Sequence, residues 1–251
     1  MNTIIVTQAR VGSSRLPAKV LKKIGDKTIL DIHLERLKMS KSADAIILAT
    51  TNENRSKEII KIASLHQIRY FLGSQDDVLD RFYQATYRYE PEWIVRVTSD
   101  CPLIDPELID HIIEKAKTSN VDYCSNVIIE DFPDGQDVEV FKFNALKKAW
   151  DNAILSSERE HVTPYIKNHS DLKGGKLFKA KDISCHANFN HLRMTVDESD
   201  DLDMISWLIN EMGINKSWIE YVQHMLKNKD KLVNMNIQRN EGYLNSLKNE
   251  K

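Results

Sequence analysis

Short apolar or β-branched runs recur along the chain at Ile4 to Thr7, Ala45 to Thr50, Ile68 to Leu72 and Trp93 to Thr98. Between them, apolar residues fall at helical spacing, as in Leu30, Leu34 and Leu37 and again in Ile59, Ile60 and Ala63. This β-α-β-α-β-α-β order predicts an α/β fold: a mainly parallel, Rossmann-like sheet whose right-handed helical crossovers cover both faces. Two helix starts are marked by polar chemistry. Ser74 with Asp77 three residues on reads as a capping box, and Asp105-Pro106-Glu107 supplies an N-cap, a proline at the first helical position and an acid in the first turn. Beyond Tyr123 the regularity fades. The turn-prone Asp131-Phe132-Pro133-Asp134-Gly135, the strand-like Val138 to Phe141 and a helix from Asn144 to Ala153 predict a small antiparallel extension. Leu192 to Val196 reads as a last strand, followed by an amphipathic helix carrying Leu202, Ile205 and Leu208. One domain over about 1–230 follows, its antiparallel part at about 125–190, with about 231–251 as a polar C-terminal tail.

Composition narrows the classes of partner. A formal net charge of −2 over 251 residues argues against the broad basic face that a nucleic-acid partner needs, while leaving room for a local cationic pocket. The three cysteines, Cys101, Cys124 and Cys185, show neither an even count nor C-x-x-C spacing, so a reducing cytoplasm is expected. Cys185, His186 and His191 make a poor zinc pattern. No apolar stretch approaches membrane-spanning length, and the chain enters a strand at once, so neither insertion nor export is expected.

Three polar clusters fall at the ends of predicted strands. The first, Gln8 to Lys19, puts Arg10, Arg15 and Lys19 on a loop whose Gly12, Ser13 and Ser14 have little side-chain bulk. Backbone N–H groups there can approach phosphate oxygens closely, and Arg15 and Lys19 add full charges. Neither a Walker pattern nor a G-x-G-x-x-G fingerprint occurs. The second cluster is Thr98-Ser99-Asp100-Cys101-Pro102 and the third is Asp197-Glu198. Ligands of open α/β sheets bind outside the carboxyl ends of the strands, so these distant segments are expected to meet in one cleft. Asp100 and Asp197 are then candidate Mg²⁺ ligands, since that ion takes one or two carboxylates together with water and substrate phosphate. Helix capping is the competing reading for each aspartate.

The run Gln8-Ala9-Arg10-Val11-Gly12-Ser13-Ser14-Arg15-Leu16-Pro17-Ala18-Lys19-Val20-Leu21 resembles the opening signature of the spore-coat polysaccharide (SpsF-type) cytidylyltransferases. That family is related to the enzymes that make CMP-sialic, CMP-legionaminic and CMP-ketodeoxyoctonic acids. Five later blocks extend the likeness in family order: Gly73 to Phe82, Thr98 to Ile104, Asp134 to Phe141, Glu158 to Tyr165 and Thr195 to Leu202. Together they cover most of the chain. The resemblance implies a GT-A-like nucleotide-diphospho-sugar transferase fold and a CTP-dependent cytidylyltransferase that acts on a small sugar acid or related acceptor. By position it assigns the triphosphate to Arg15 and Lys19 and Mg²⁺ to Asp100 and Asp197, the four expected catalytic residues. Two departures stand out. Ala18 replaces the usual glycine, which calls for an ordinary backbone conformation there if the loop is unchanged. Glu198-Ser199 replaces the usual Thr-Pro, leaving Ser199 as the cap.

The expected nucleotide-binding set is Gln8, Ala9, Arg10, Gly12, Ser13, Ser14, Arg15, Lys19, Asp77, Arg81 and Ser99. Asp77 and Arg81 fit base or ribose contacts, and equally a capped helix with an i,i+4 pair. Asp134, Gln136, Asp137 and Glu139 suit a polyhydroxylated acceptor, and equally a solvated turn leading into an edge strand. Glu160 and His161 complete the expected acceptor set, with His161 the histidine to examine for a proton role. A homodimer is expected through about Asp131 to Phe141, from the resemblance and because the strand-like Val138 to Phe141 would otherwise offer an unpaired edge. The mechanism implied is in-line attack on the α-phosphate of CTP with release of pyrophosphate, for surface polysaccharide or glycoconjugate synthesis. Two rival readings compete with this one. A GT-A glycosyltransferase usually carries D-x-D, whereas Ser99-Asp100-Cys101 has one aspartate; an inactive nucleotide-binding scaffold predicts damage among Arg15, Lys19, Asp100 and Asp197, and all four are intact.

Overall fold

The computed structural model describes residues 1–13, 15–248 and 250. Its strands are β1 (Thr3–Gln8), β2 (Lys23–Ile24), β3 (Lys27–Thr28), β4 (Ala45–Thr51), β5 (Arg69–Gly73), β6 (Trp93–Thr98), β7 (Tyr123–Ser125), β8 (Glu139–Lys142) and β9 (Ala180–Asp182). Its α-helices are α1 (Ile29–Leu37), α2 (Lys57–Leu65), α3 (Val78–Tyr87), α4 (Pro106–Thr118), α5 (Phe143–Asn152), α6 (Ser156–His161), α7 (Pro164–Asn168), α8 (Ser199–Met212), α9 (Trp218–Lys227) and α10 (Glu241–Lys248). The main sheet runs β5-β4-β1-β6-β8-β7-β9. The first four strands in that order are mutually parallel. β8 is antiparallel to both neighbours, and β9 is parallel to β7. The expected α/β architecture with a small antiparallel part is therefore what forms.

β1 shows why the strands read as apolar runs. Ile5 packs with Leu48, Val95 and the inner residues of α1, α2 and α4, while its neighbours Ile4 and Val6 pack on the other face with Phe82, Ile94, Phe141 and Leu146. A strand covered on both faces has no polar side, so alternation disappears. Each such isoleucine contributes about 1.5–3 kcal/mol of apolar transfer. A third cluster joins Ile29 and Ile32 of α1 to Leu192, Met194 and Val196 and to α8 and α9.

Several local expectations change. The cap of α3 is Asp77, whose carboxylate accepts from the Asp80 N–H; Ser74 sits three residues earlier, accepting from the Asp77 N–H. Asp105 caps α4 as expected, with Pro106 at its first position. Leu192 to Val196 is an extended segment with one bridge, Asp134 to Arg193, and not a strand, because its other backbone groups bond to loops. The Val138 to Phe141 run is no edge. β8 lies between β6 and β7 with Val140 and Phe141 fully buried, so the unpaired-edge argument for dimerisation through it is overturned. Within the described part of the polar C-terminal tail, Asn234 and Ser246 are buried against the domain.

Candidate active site

The strand order reverses direction at β1. The chain first adds β4 and β5 on one side of β1, then crosses over to add β6 on the other. Loops leaving the carboxyl ends of two such neighbours diverge and open a crevice, the usual ligand position of this sheet type. Gln8 pairs with Thr98 in register, so the Arg10–Lys19 loop and the 99–101 loop leave the sheet side by side. They are also tied together: Ser99 donates its hydroxyl to the Gln8 carbonyl at 2.6 Å.

His33, on α1, fixes the base of this crevice. Its Nδ1 donates to the Cys101 carbonyl at 2.9 Å, so its Nε2 accepts from the Thr7 hydroxyl, also at 2.9 Å. Burial pushes its pKa down to about 4, so the ring works as a neutral bracket between β1 and the Asp100 loop. Burial also pushes the Cys101 thiol well up, which leaves it a packing group and not a nucleophile.

The third cluster arrives by main-chain docking. Val196 N–H donates to the Asp100 carbonyl at 2.8 Å, setting Asp197 beside Asp100. Upstream, Met194 N–H donates to the Asp134 carbonyl. Gly135 makes that approach possible. It has φ +99°, and a Cβ there would lie 2.6 Å from the Met194 carbonyl carbon.

Lys19 is the focus of the site. Its Nζ lies 2.6 Å from Asp100 Oδ2 and 2.6 Å from Asp197 Oδ1. Burial lowers the pKa of this ammonium, but the two carboxylates more than reverse that and leave it above the usual lysine range. Asp100 ends well below the carboxylate range, since Lys19 outweighs the cost of its own burial. Arg15 Nη2 reaches the same Asp197 oxygen at 3.1 Å. One ammonium between two convergent carboxylate oxygens marks a point at which a hard cation would find two oxygen ligands. That donor set fits Mg²⁺, which takes its remaining positions from water and phosphate. Among the described residues no group of three or more His, Cys, Asp and Glu is placed to hold a metal, so a two-carboxylate arrangement is the most this site offers.

Sequence reasoning missed the residue that holds Asp197 in place. Arg193 is buried, and its guanidinium reaches Asp197 Oδ2 at 2.7 Å, Asp201 Oδ1 at 2.8 Å and Asp134. Asp201 also accepts the Asp197 and Glu198 backbone N–H groups, so Asp201, and not Ser199, satisfies the start of α8. The signal was present: a lone arginine inside an apolar run, with acids four and eight residues later. Ala18 is a second departure. It takes φ 55°, ψ 32°, the left-handed conformation expected of the absent glycine, with Ala18 N–H donating to the Val11 carbonyl and Leu21 N–H donating to the Ala18 carbonyl.

Of the other expected nucleotide ligands, Gln8 and Ala9 lie at the crevice floor and Arg10 and Gly12 are exposed on the loop. Ser13 follows, half-buried, while Ser14 lies outside the described residues. Asp77 does not pair with Arg81. Its carboxylate takes Arg159 at 2.5 Å, and Arg81 is buried with Nη1 on the Ser74 carbonyl at 2.6 Å.

The expected acceptor residues divide. Gln136 is fully buried, accepting from Asp105 N–H and donating to the Leu103 carbonyl, so it braces loops and is withdrawn as an acceptor ligand. Glu139 is buried as well, taking Arg96 at 2.5 Å, Tyr123 OH at 2.5 Å and Thr163 OH at 2.6 Å, and it too is withdrawn. Asp134 is held by Arg193; burial, with Asp137 close by, pushes its pKa up to about 7. Asp137 remains half open, paired with Arg239 at 2.7 Å. Glu160 and His161 face the C-terminal segment through Ser246. Burial and the nearby Arg96 push His161 down to about 4, so it is neutral at physiological pH.

A family model described as Cytidylyltransferase matches residues 4–230. An uncharacterized protein of Methanocaldococcus jannaschii is 40% identical over 238 residues, covering 94% of this chain and 95% of its own. The spore coat polysaccharide biosynthesis protein SpsF of Bacillus subtilis is 33% identical over 222 residues, covering 85% of this chain and 89% of its own. Among solved structures, a cytidylyltransferase from Leptospira borgpetersenii superposes with a TM-score of 0.87 at 31% identity, covering 95% of this chain and 100% of that one.

Proposed function

The chain belongs to the cytidylyltransferase family, and we propose that it transfers CMP from CTP to a small sugar acid, releasing pyrophosphate. The observation that carries this reading is the Lys19 ammonium held between Asp100 and Asp197 at the point where the strand order reverses. Phosphoryl transfer needs positioning and charge balance more than covalent chemistry, and this cluster supplies both. Arg15 and Lys19 neutralise the β- and γ-phosphates, favouring their departure as pyrophosphate. Asp100 and Asp197 would hold Mg²⁺, which would supply positive charge to the α-phosphate and lower the cost of bringing an anionic acceptor to it. On that reading Lys19 leaves its bridging position when the phosphates enter. Arg193 and Asp201 act as positioning residues, keeping Asp197 aimed at the crevice.

Relatives support the acceptor class. SpsF is named for spore coat polysaccharide biosynthesis. A 3-deoxy-manno-octulosonate cytidylyltransferase of Bartonella tribocorum is 28% identical over half of this chain. The test is a pyrophosphate-release screen of the four nucleoside triphosphates against acidic sugars and sugar phosphates with Mg²⁺. Release that depends on both CTP and a sugar acid supports the proposal. Release with another triphosphate alone, or with neutral sugars only, overturns it.

A further inference from the structure

The family match ends at residue 230, yet the described residues from 234 to 248 run across the site that the family residues build. Asn234 Nδ2 donates to the Arg193 carbonyl and to Asp201. Arg239 binds the Phe132 carbonyl and Asp137, and Asn240 binds Glu130. Ser246 then contacts His161 and Glu160, and the Tyr243 ring meets the His161 ring edge-on. Between these anchors Glu241, the first residue of α10, places Oε2 2.9 Å from Arg15 Nη1. Glu198 lies 3.9 Å from the same atom.

We propose that Glu241 is an internal competitor for phosphate: it occupies Arg15 in the empty enzyme, yields to the incoming triphosphate, and returns as pyrophosphate leaves. The inference rests on the assignment of Arg15 to the triphosphate. A carboxylate and a phosphate oxygen make the same charge-assisted bond to a guanidinium, so the two exclude one another there. Both partners are partly open, with Arg15 33% and Glu241 40% exposed, so the contact is weak enough to break on each turnover. Glu241 lies on one short helix between anchors at Arg239 and Ser246, so its withdrawal shifts a segment that also touches Asp137 and His161. Nucleotide binding is thereby coupled to the acceptor side.

Calorimetric titration of CTP, CMP and inorganic pyrophosphate into the full chain and its Glu241→Gln variant tests this. The variant is expected to bind CTP and pyrophosphate about three- to five-fold more tightly, the scale of an exposed ion pair. CMP, which does not extend to Arg15, is expected to be unchanged. Amide exchange in α10 is expected to quicken on adding pyrophosphate to the parent. Unchanged pyrophosphate affinity in a folded variant, or slower α10 exchange, overturns the proposal. The two readings fail separately: a parent that binds pyrophosphate but no CTP sinks the cytidylyltransferase reading alone, and one that binds CTP with no gain in the variant sinks the competitor alone.

Discussion

The two sides of the crevice use charge in opposite ways. On the nucleotide side, Lys19, Asp100 and Asp197 sit on loops at the carboxyl ends of β1 and β6, with their partly exposed charged atoms converging on one another. On the other side, Glu139, Gln136 and Asp134 are equally polar in sequence but are spent on internal bonds. A run of acids therefore marks a site only when the fold leaves its charges unsatisfied by the interior. Strand ends at a reversal of order do so, because the loops leaving them diverge. A strand inserted between two others does not.

Substitutions that treat the two sides alike can break that contrast. Asp100→Asn is expected to cut turnover about 100-fold or more while leaving the unliganded melting temperature close to the parent, since it removes charge aimed at the reacting phosphates. Steady-state rates at saturating Mg²⁺ check it, and near-parent turnover would remove Asp100 from the site. Glu139→Gln is expected to do the reverse. It removes the buried carboxylate that pairs half-buried Arg96, costing about 3 kcal/mol of stability measured by denaturant unfolding, with little change in the acceptor's KM in whatever fraction folds. A large KM effect without loss of stability would return Glu139 to the acceptor site.

Acid sharpens the comparison further. His33 braces the nucleotide side and His161 the other, and burial holds both near a pKa of about 4. Between that value and the ordinary 6.5 the unfolded chain binds protons that the folded protein refuses. The stability is therefore complete above about 6.5 and is lost as pH falls toward about 4. Melting temperatures across that window are expected to decline, and the His33→Gln variant is expected to flatten the decline. The smallest effect belongs to the loop itself: Ala18→Gly is expected to stabilise the protein by about 1 kcal/mol, because a left-handed residue loses its Cβ clash. Destabilisation on chemical melting would mean that the loop is not left-handed at Ala18.

The parallel half of the fold was legible because doubly covered strands leave unbroken apolar runs, as Ile4-Ile5-Val6 and Trp93 to Thr98 do. The chemistry at their ends was legible for the same reason. The rest depended on tertiary partners that local pattern does not reveal. Nothing near Glu139 in sequence indicates Arg96 or Thr163, and nothing near Asp77 singles out Arg159 over Arg81, which has the better helical spacing. Residues 231–251 read as a tail because their polar side chains find partners, such as Arg15, Asp137 and Asp201, only across the folded site.

The central claim is that Lys19, between Asp100 and Asp197, marks the triphosphate end of a CTP site. Calorimetric titration of CTP and CMP into the parent and the Lys19→Ala variant tests it most directly. Removing a partly buried cation that bonds phosphate is expected to weaken CTP about ten-fold or more and CMP much less. Equal losses for the two nucleotides, or no CTP binding by the parent, would contradict it.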